Sequence, residues 1–546
     1  MSTADLITEL DEINTSADAV TWARRHMVDI ASLNGDAGTV WQALTEKGLA
    51  TSDLLDLQDT ASRTAYRRQQ EQDPGAAFDK MLTDLGNARR FAKDHAGRIL
   101  YTKAHGWLAW DGRRWAVDDT GAAERLARLT VRRLWDELQR MNDELRQLAD
   151  DADPQQADID KQKKRITAHT SWSIKSQSRQ RIDAMLALAR SETGIAVHAE
   201  DFDATPWLLN VRNGTLDLKT GTLKPHDPND KITKLIDIDY AHDAACPLWT
   251  KFLETVLPDA EVRQFLQRWV GYCLTGDVSE QAFAFLYGKG QNGKSLFAGT
   301  LLRMMGEYGL KMATETITET KRQAGAASED IARLHGKRFY LTTEWQEGTA
   351  LDENLVKDLT GGDVLAARFL HKGTFEFMPV GKLTIVGNHK PVIKGDDLGI
   401  WRRVREVPFT VTIPDDEKDP QLAHKLLTEL PGILAWAVAG CADWQANGLG
   451  IPQAVKQATD AYKEASDTLG AWIAECCDTE DKSAATATGV LFASWQEWAK
   501  KGGHKPQTLT WFGRKLGERG YEKTTDRTPL RKGISVIGQE TQKPLG

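Results

Sequence analysis

The clearest chemistry in this 546-residue chain sits in one short run, Gly288-Lys289-Gly290-Gln291-Asn292-Gly293-Lys294-Ser295. The spacing fits G-x-x-x-x-G-K-[ST], in which glycines let the backbone curl so that successive N–H groups face phosphate oxygens. Lys294 would reach the β- and γ-phosphates, and the Ser295 hydroxyl would bind Mg²⁺. These residue types in this order predict an ATP site.

Further candidates follow downstream. Lys337-Arg-Phe-Tyr-Leu-Thr-Thr-Glu344 is a buried-strand pattern ending in a carboxylate, the place where an ATPase keeps its metal-binding and water-activating acid. Glu344 takes that role, with Glu347 as a helper. Gly381-Lys-Leu-Thr-Ile-Val-Gly-Asn388 is a second buried strand ending in an amide that can orient an attacking water. Between them, Ala367 to Phe377 alternates around a turn, predicting a hairpin with a basic tip at His371 and Lys372. Trp401-Arg402-Arg403-Val-Arg405 is an arginine cluster. One member could reach a neighbouring copy's ATP, although such clusters are usually ion-paired strand faces.

These groups need elements to hold them. Ala282 to Tyr287 reads as an apolar strand entering the glycine-rich turn, and Leu296 to Met305 as the helix leaving it. Residues 247–280 form an amphipathic helical lead-in, with Trp249, Phe252, Leu253, Val256, Phe265, Leu266 and Val270 at helical spacing. Strands alternating with helices give an α/β core at about 246–410.

Upstream, residues 1–75 read as a small helical module ending at Asp73-Pro74-Gly75, and residues 78–245 as a helical or mixed domain. Trp107, Trp110 and Trp115 flank an Asp111-Gly112 hairpin turn, and packing onto the hairpin's own helices is expected over base stacking. Asp237-Ile-Asp239 lacks a third ligand, so solvated strand-end acids are expected and primer synthesis is not.

Downstream, residues 411–479 read as helical and 480–488 as a linker. Residues 489–546 then give helix, helix and strand pair, the pattern of a winged helix. From Lys500 to Gly546 there are eleven Lys or Arg against four Asp or Glu, so origin or duplex DNA binding is expected of this tail.

The whole chain carries a net charge of −8. Nucleic-acid contact must therefore come from local patches or a ring lumen rather than a uniformly basic coat. Five cysteines without C-x-x-C pairs indicate neither a zinc ribbon nor a disulfide framework. An acidic N-terminus without a signal-peptide core, and no apolar run long enough to span a bilayer, predict a cytoplasmic protein.

Taken as an ordered set, Gly288…Lys294-Ser295, Glu344-Trp-Gln-Glu-Gly348, Leu359-Thr-Gly-Gly-Asp363, Asn388-His-Lys-Pro391 and Trp401-Arg402-Arg403 resemble the superfamily 3 helicases. The likeness is to the phage/plasmid and poxvirus-type primase-helicase family. It implies an AAA+-type P-loop ATPase using ATP and Mg²⁺, assembled as a hexameric ring that moves 3′ to 5′ on single-stranded DNA. It also implies forked DNA as substrate, a bacterial host cytoplasm, and a separate primase as a possible partner. By position it makes Glu344 the Walker B acid, Asn388 the sensor, Arg403 the trans-acting finger with Arg402 as fallback, and His371 and Lys372 the DNA-gripping hairpin. Thr343-Glu344 departs from the family's two adjacent acids. The polymerase-type primase of many relatives is not recognised, so primase activity is not carried over. The alternative reading is an ATP-dependent origin-binding initiator or loader that does not unwind; a third is an RNA-directed motor.

Overall fold

The computed structural model describes residues 3–13, 15–30, 37–49, 53, 57, 81–151, 155–319, 328–368, 374–394, 398–502, 507–524 and 529–538. Its contacts divide the chain into two compact units, residues 1–110 with 116–199, and residues 111–115 with 200–546. The division by contacts falls near 199. The residues from there to 245 run into the sheet described below and share its core.

In the first unit, helices Thr3–Asp11, Ser16–Arg25 and Ala37–Glu46 bury Leu6, Leu10, Trp22, Val40 and Leu44 in a small core of their own. The polar break through Pro74 lies outside the described residues. Helices Asp84–His95, Ala122–Ala149 and Arg179–Ala189 then enclose a separate core, and helix Gln156–Lys175 joins them through the Trp172 indole N–H, which donates to Asn87 Oδ1. Thr83 caps the first by accepting from the Gly86 N–H, and Ser178 caps the last. Strands β1 (Ile99–Thr102) and β2 (Gly106–Trp110) form an antiparallel pair, and β3 (Trp115–Val117) completes the sheet. Trp107 meets Phe91 and Tyr101 edge-on, as expected of a hairpin packed on its own helix. Trp115 differs: it belongs to the second unit, where its indole N–H donates to the Pro228 carbonyl and its ring meets Phe202.

The second unit opens with the antiparallel sheet of β4 (Leu208–Val211), β5 (Gly214–Asp217) and β6 (Thr222–Lys224). Three strands stand where two were expected. Asp237 and Asp239 are exposed and pair with Arg212, the solvated role expected of them. Helices Pro247–Val256 and Ala260–Cys273 bury all seven lead-in residues named above.

The centre of this unit is a five-stranded sheet of β7 (Phe283–Tyr287), β8 (Gly309–Lys311), β9 (Phe339–Thr343), β12 (Lys382–Gly387) and β13 (Val404–Pro408). Its order is β13-β7-β12-β9-β8, and every pairing is parallel. Near-continuous apolar strands are what a sheet buried on both faces requires. One face packs on the lead-in helices and helix Leu430–Asn447; the other packs around Trp345, Trp401 and Tyr462. The strand excursion β10 (Leu365–Arg368) and β11 (Thr374–Phe377) is the predicted hairpin. Among the described residues no single helix is long and apolar enough to cross a membrane. The bent pair Asp415–Thr428 with Leu430–Asn447 reaches that length and composition, yet Leu430–Asn447 buries Ile433, Leu434, Val438 and Cys441 in the core.

The tail begins earlier than expected. Helix Thr468–Cys476 shares a core with helices Thr488–Lys501 and Leu509–Glu518 through Trp472, Trp495, Phe512 and Leu516. Two antiparallel pairs complete it, β14 (Cys477–Asp478) with β17 (Ser535–Val536) and β15 (Ala485–Ala487) with β16 (Leu530–Lys532). Residues 480–488 are therefore part of this fold and not a free linker. Ala484 and Ala485 there are buried.

Candidate functional site

Ligands of open parallel sheets sit outside the carboxyl ends of the strands, where the strand order reverses. Here that point lies between β7 and β12. Their register aligns Tyr287 with Gly387, and β12 aligns Val386 with Thr343 of β9. The glycine-rich loop, Asn388 and Glu344 therefore leave three adjacent strands at one edge.

The loop is tightly built. A Cβ on Gly288 would lie 2.2 Å from the Asn292 amide nitrogen and 2.3 Å from the Phe409 carbonyl oxygen. Gly290 turns at φ +113° with nothing within 4 Å of its missing side chain, so that flank is open. The Asn292 amide donates to Phe409 O at 3.1 Å, and Ile413 N–H donates to Gln291 O at 2.8 Å, tying the loop to the chain beyond β13. Gly293 ends the turn at φ +79°, and the helix starts at Lys294.

Lys294 is 3 % exposed. Its amine donates to Gly288 O at 2.7 Å, Asn292 Oδ1 at 2.9 Å and Asn388 Oδ1 at 3.2 Å. All three partners are neutral oxygens. Burial pushes the amine down to about 8, because a low-dielectric site disfavours the charged form. Ser295 is exposed at the helix's first turn, where backbone N–H groups and the helix dipole favour anions.

Glu344 stands exposed just past β9 in the left-handed region, φ +67°, a conformation that non-glycine residues adopt at a cost. Trp345, buried, anchors the next position through its indole N–H to Thr349 O. Glu347 is exposed and 3.9 Å from His389 Nδ1. The structure thus brings Lys294, Asn292 and Asn388 into contact and places Glu344 at the same sheet edge.

The arginines divide. Arg403 is 7 % exposed; its Nε donates to Thr360 Oγ1 and its Nη1 to Gly399 O. Arg402 is exposed and donates to Gln281 Oε1 at 2.9 Å. His371 and Lys372 lie outside the described residues; the flanking hairpin pairs Arg368 with Thr374.

Sequence reasoning passed over Lys390 and Glu406. The Lys390 amine meets Glu406 Oε2 at 2.8 Å and lies 4.6 and 4.9 Å above the Tyr287 and Tyr462 rings. A glutamate between the buried Val404 and Val407 of β13 was the available signal.

Two family models match the chain. The first is D5 N terminal like, over residues 88–258, and the second a family of unknown function, DUF5906, over residues 286–403. Curated relatives carry helicase or primase names. "Putative helicase L207/L206" of Acanthamoeba polyphaga mimivirus is 28% identical over 55% of this chain and 34% of its own length. Together these matches support a superfamily 3 primase-helicase family of the viral D5-like kind. "Putative helicase 022R" of Frog virus 3 is 29% identical over 52% of the chain and 30% of its own length. "Putative primase C962R" of African swine fever virus is 23% identical over 55% and 34%. The chain spans about a third of the length of these D5-like relatives. Solved structures of the NrS-1 C-terminal region are similar at a TM-score of 0.37 and 15% identity, over 56% of this chain and 80% of that one, too distant to carry an argument.

Proposed function

We propose that this chain is the motor of an ATP-dependent DNA helicase that replicates a mobile genome. The observation that carries the reading is the Lys294 ammonium: buried in a glycine-rich loop, bonded to three neutral oxygens and without a carboxylate among those partners. A buried charge lacking a counter-ion is costly, and a polyphosphate would complete it. The open flank at Gly290 leaves room for one.

The glycine-rich loop is a P-loop in this reading. Its N–H groups and Lys294 bind the phosphates. Ser295 and Glu344 would hold Mg²⁺, which supplies charge neutralisation on the phosphate oxygens. Glu344 and Asn388 orient the attacking water, and Glu344 accepts its proton. Arg402 is the better finger of the pair, because it is exposed, whereas Arg403 is committed to Thr360 and Gly399 inside its own fold.

In a hexameric ring the β10–β11 hairpins would face single-stranded DNA with His371 and Lys372 at their tips, moving 3′ to 5′. Lumen contacts of this kind suit a chain with net charge −8. The tail, with three helices and two short strand pairs, supports a winged helix whose basic surface contacts duplex DNA. Unwinding of a forked duplex with ATP, wild type beside Lys294→Ala and Lys372→Ala, tests the proposal. Strand release by the wild type alone supports it. ATP-driven assembly and tail-dependent DNA binding without strand release would favour the initiator or loader.

A further inference from the structure

We infer that Lys390 is a positioning residue for this site, holding Asn388 against Lys294 through a staple that ties three strands together. The inference rests on the ATP-hydrolysis reading above.

Asn388 is exposed, and among the described residues its side chain is bonded to Lys294 alone. Its direction therefore depends on the backbone from 388 to 391. Two side-chain contacts hold that backbone. The Tyr462 hydroxyl donates to the Pro391 carbonyl, and the Lys390 amine reaches Glu406 at 2.8 Å. To reach it the amine passes over the ring of Tyr287, the last residue before the glycine-rich loop. Lys390 follows β12, Tyr287 ends β7 and Glu406 lies on β13. The staple thus spans the point where strand order reverses.

Its composition argues for a role beyond packing. The Glu406 side chain is 3% exposed, and a buried ion pair is often no more stabilising than apolar residues of similar volume. Directional constraint is what the pair supplies: a fixed 2.8 Å bond, two cation–π faces, and a Glu406 N–H that donates to Thr459 Oγ1 at 3.0 Å. Thr459 and Tyr462 share helix Gln453–Ser466, so one helix braces both ends of the staple. A displacement of about 1 Å at a reacting group costs up to about a hundredfold in rate.

The test separates binding from turnover. Lys390→Met is made together with Glu406→Gln so that no buried carboxylate is left unpaired, and ATP affinity and turnover are measured in the full chain. Turnover should fall at least about tenfold while ATP affinity stays within about threefold. Lys390→Arg, which keeps the charge, the bond and the ring contacts, should recover most of the loss. In an Asn388→Ala background the paired change should have no further effect, because Lys390 acts through Asn388. Tyr462→Phe, which keeps the ring and removes the hydroxyl, should slow turnover in the same way if the paired variant does not fold. The inference is overturned if turnover falls less than about twofold, or by the same factor with and without Asn388. Wild-type hydrolysis no faster than that of Lys294→Ala would instead bring down the ATP reading, and this inference with it.

Discussion

Replacing Lys294 by Met separates a functional lysine from a structural one. In the folded chain burial holds the amine at about 8, some 2.5 below an ordinary lysine, which corresponds to about 3 kcal/mol of unfavourable burial. The substitution removes that cost. It also strips the donor from Gly288 O, Asn292 Oδ1 and Asn388 Oδ1. Asn388 is exposed and turns to water, leaving two orphaned acceptors at about 1 kcal/mol or more each. The free protein should therefore be within about 1 kcal/mol of wild type, where truncating a lysine that stabilises a core would cost several. With ATP the two part. At a concentration of about 100 Kd the wild type gains about 2.7 kcal/mol. A variant binding about 30-fold more weakly, as losing one charge-assisted contact implies, gains under about 1 kcal/mol. Thermal melts with and without Mg·ATP read both quantities, with about 1–2 °C per kcal/mol for the unit of residues 111–115 and 200–546. An undiminished ATP shift in the variant would refute the placement of phosphate on Lys294.

Glu344→Gln should keep ATP binding within about threefold and lower hydrolysis at least about a hundredfold, measured by equilibrium nucleotide binding beside phosphate release. Arg402→Ala should leave the melt unchanged and reduce ATP turnover in the assembled protein, whereas Arg403→Ala should lower the melt first, having lost bonds to Thr360 and Gly399; the reverse pattern restores Arg403 as the finger. Lys294 and Lys337 each add stability as pH rises between about 8 and 10, because burial holds them at about 8 and they bind more protons in the unfolded chain; the buried thiols of Cys273, Cys441 and Cys477, pushed up to about 12, 11 and 12, act in the opposite direction over the same window. The slope approaches about 1.4 kcal/mol per pH unit for each lysine. Lys382, pushed down to about 7 by burial, acts in the same direction as the other two lysines. Urea midpoints across the window, in wild type and Lys294→Met, should show the variant's slope reduced by one lysine's share.

What could be read from the residues was local. The glycine-rich turn, the apolar runs at 339–343 and 382–387, and the tail helices are each specified by neighbours within a few positions. Strand order was not legible, because nothing in the run of residues states that β12 lies between β7 and β9. Without that order Lys294 and Asn388, far apart in sequence, have no stated distance. The positive φ at Glu344 and the inward turn of Arg403 are likewise tertiary outcomes. Arg402 and Arg403 lie in the turn between helix Leu398–Trp401 and β13, and that turn leaves Arg402 exposed while Arg403 is directed at Thr360 of helix Glu353–Gly361. The small-residue stretch at 480–488 has a linker's composition, yet Ala485–Ala487 pairs as β15 with β16, a partner that lies far along the chain and that local composition does not announce.

Unwinding of a forked DNA duplex in the presence of ATP, wild type beside Lys294→Ala, tests the central claim most directly. The account predicts strand release by the wild type and none by the variant. DNA-stimulated ATP hydrolysis by the wild type with no strand release from either protein would contradict it.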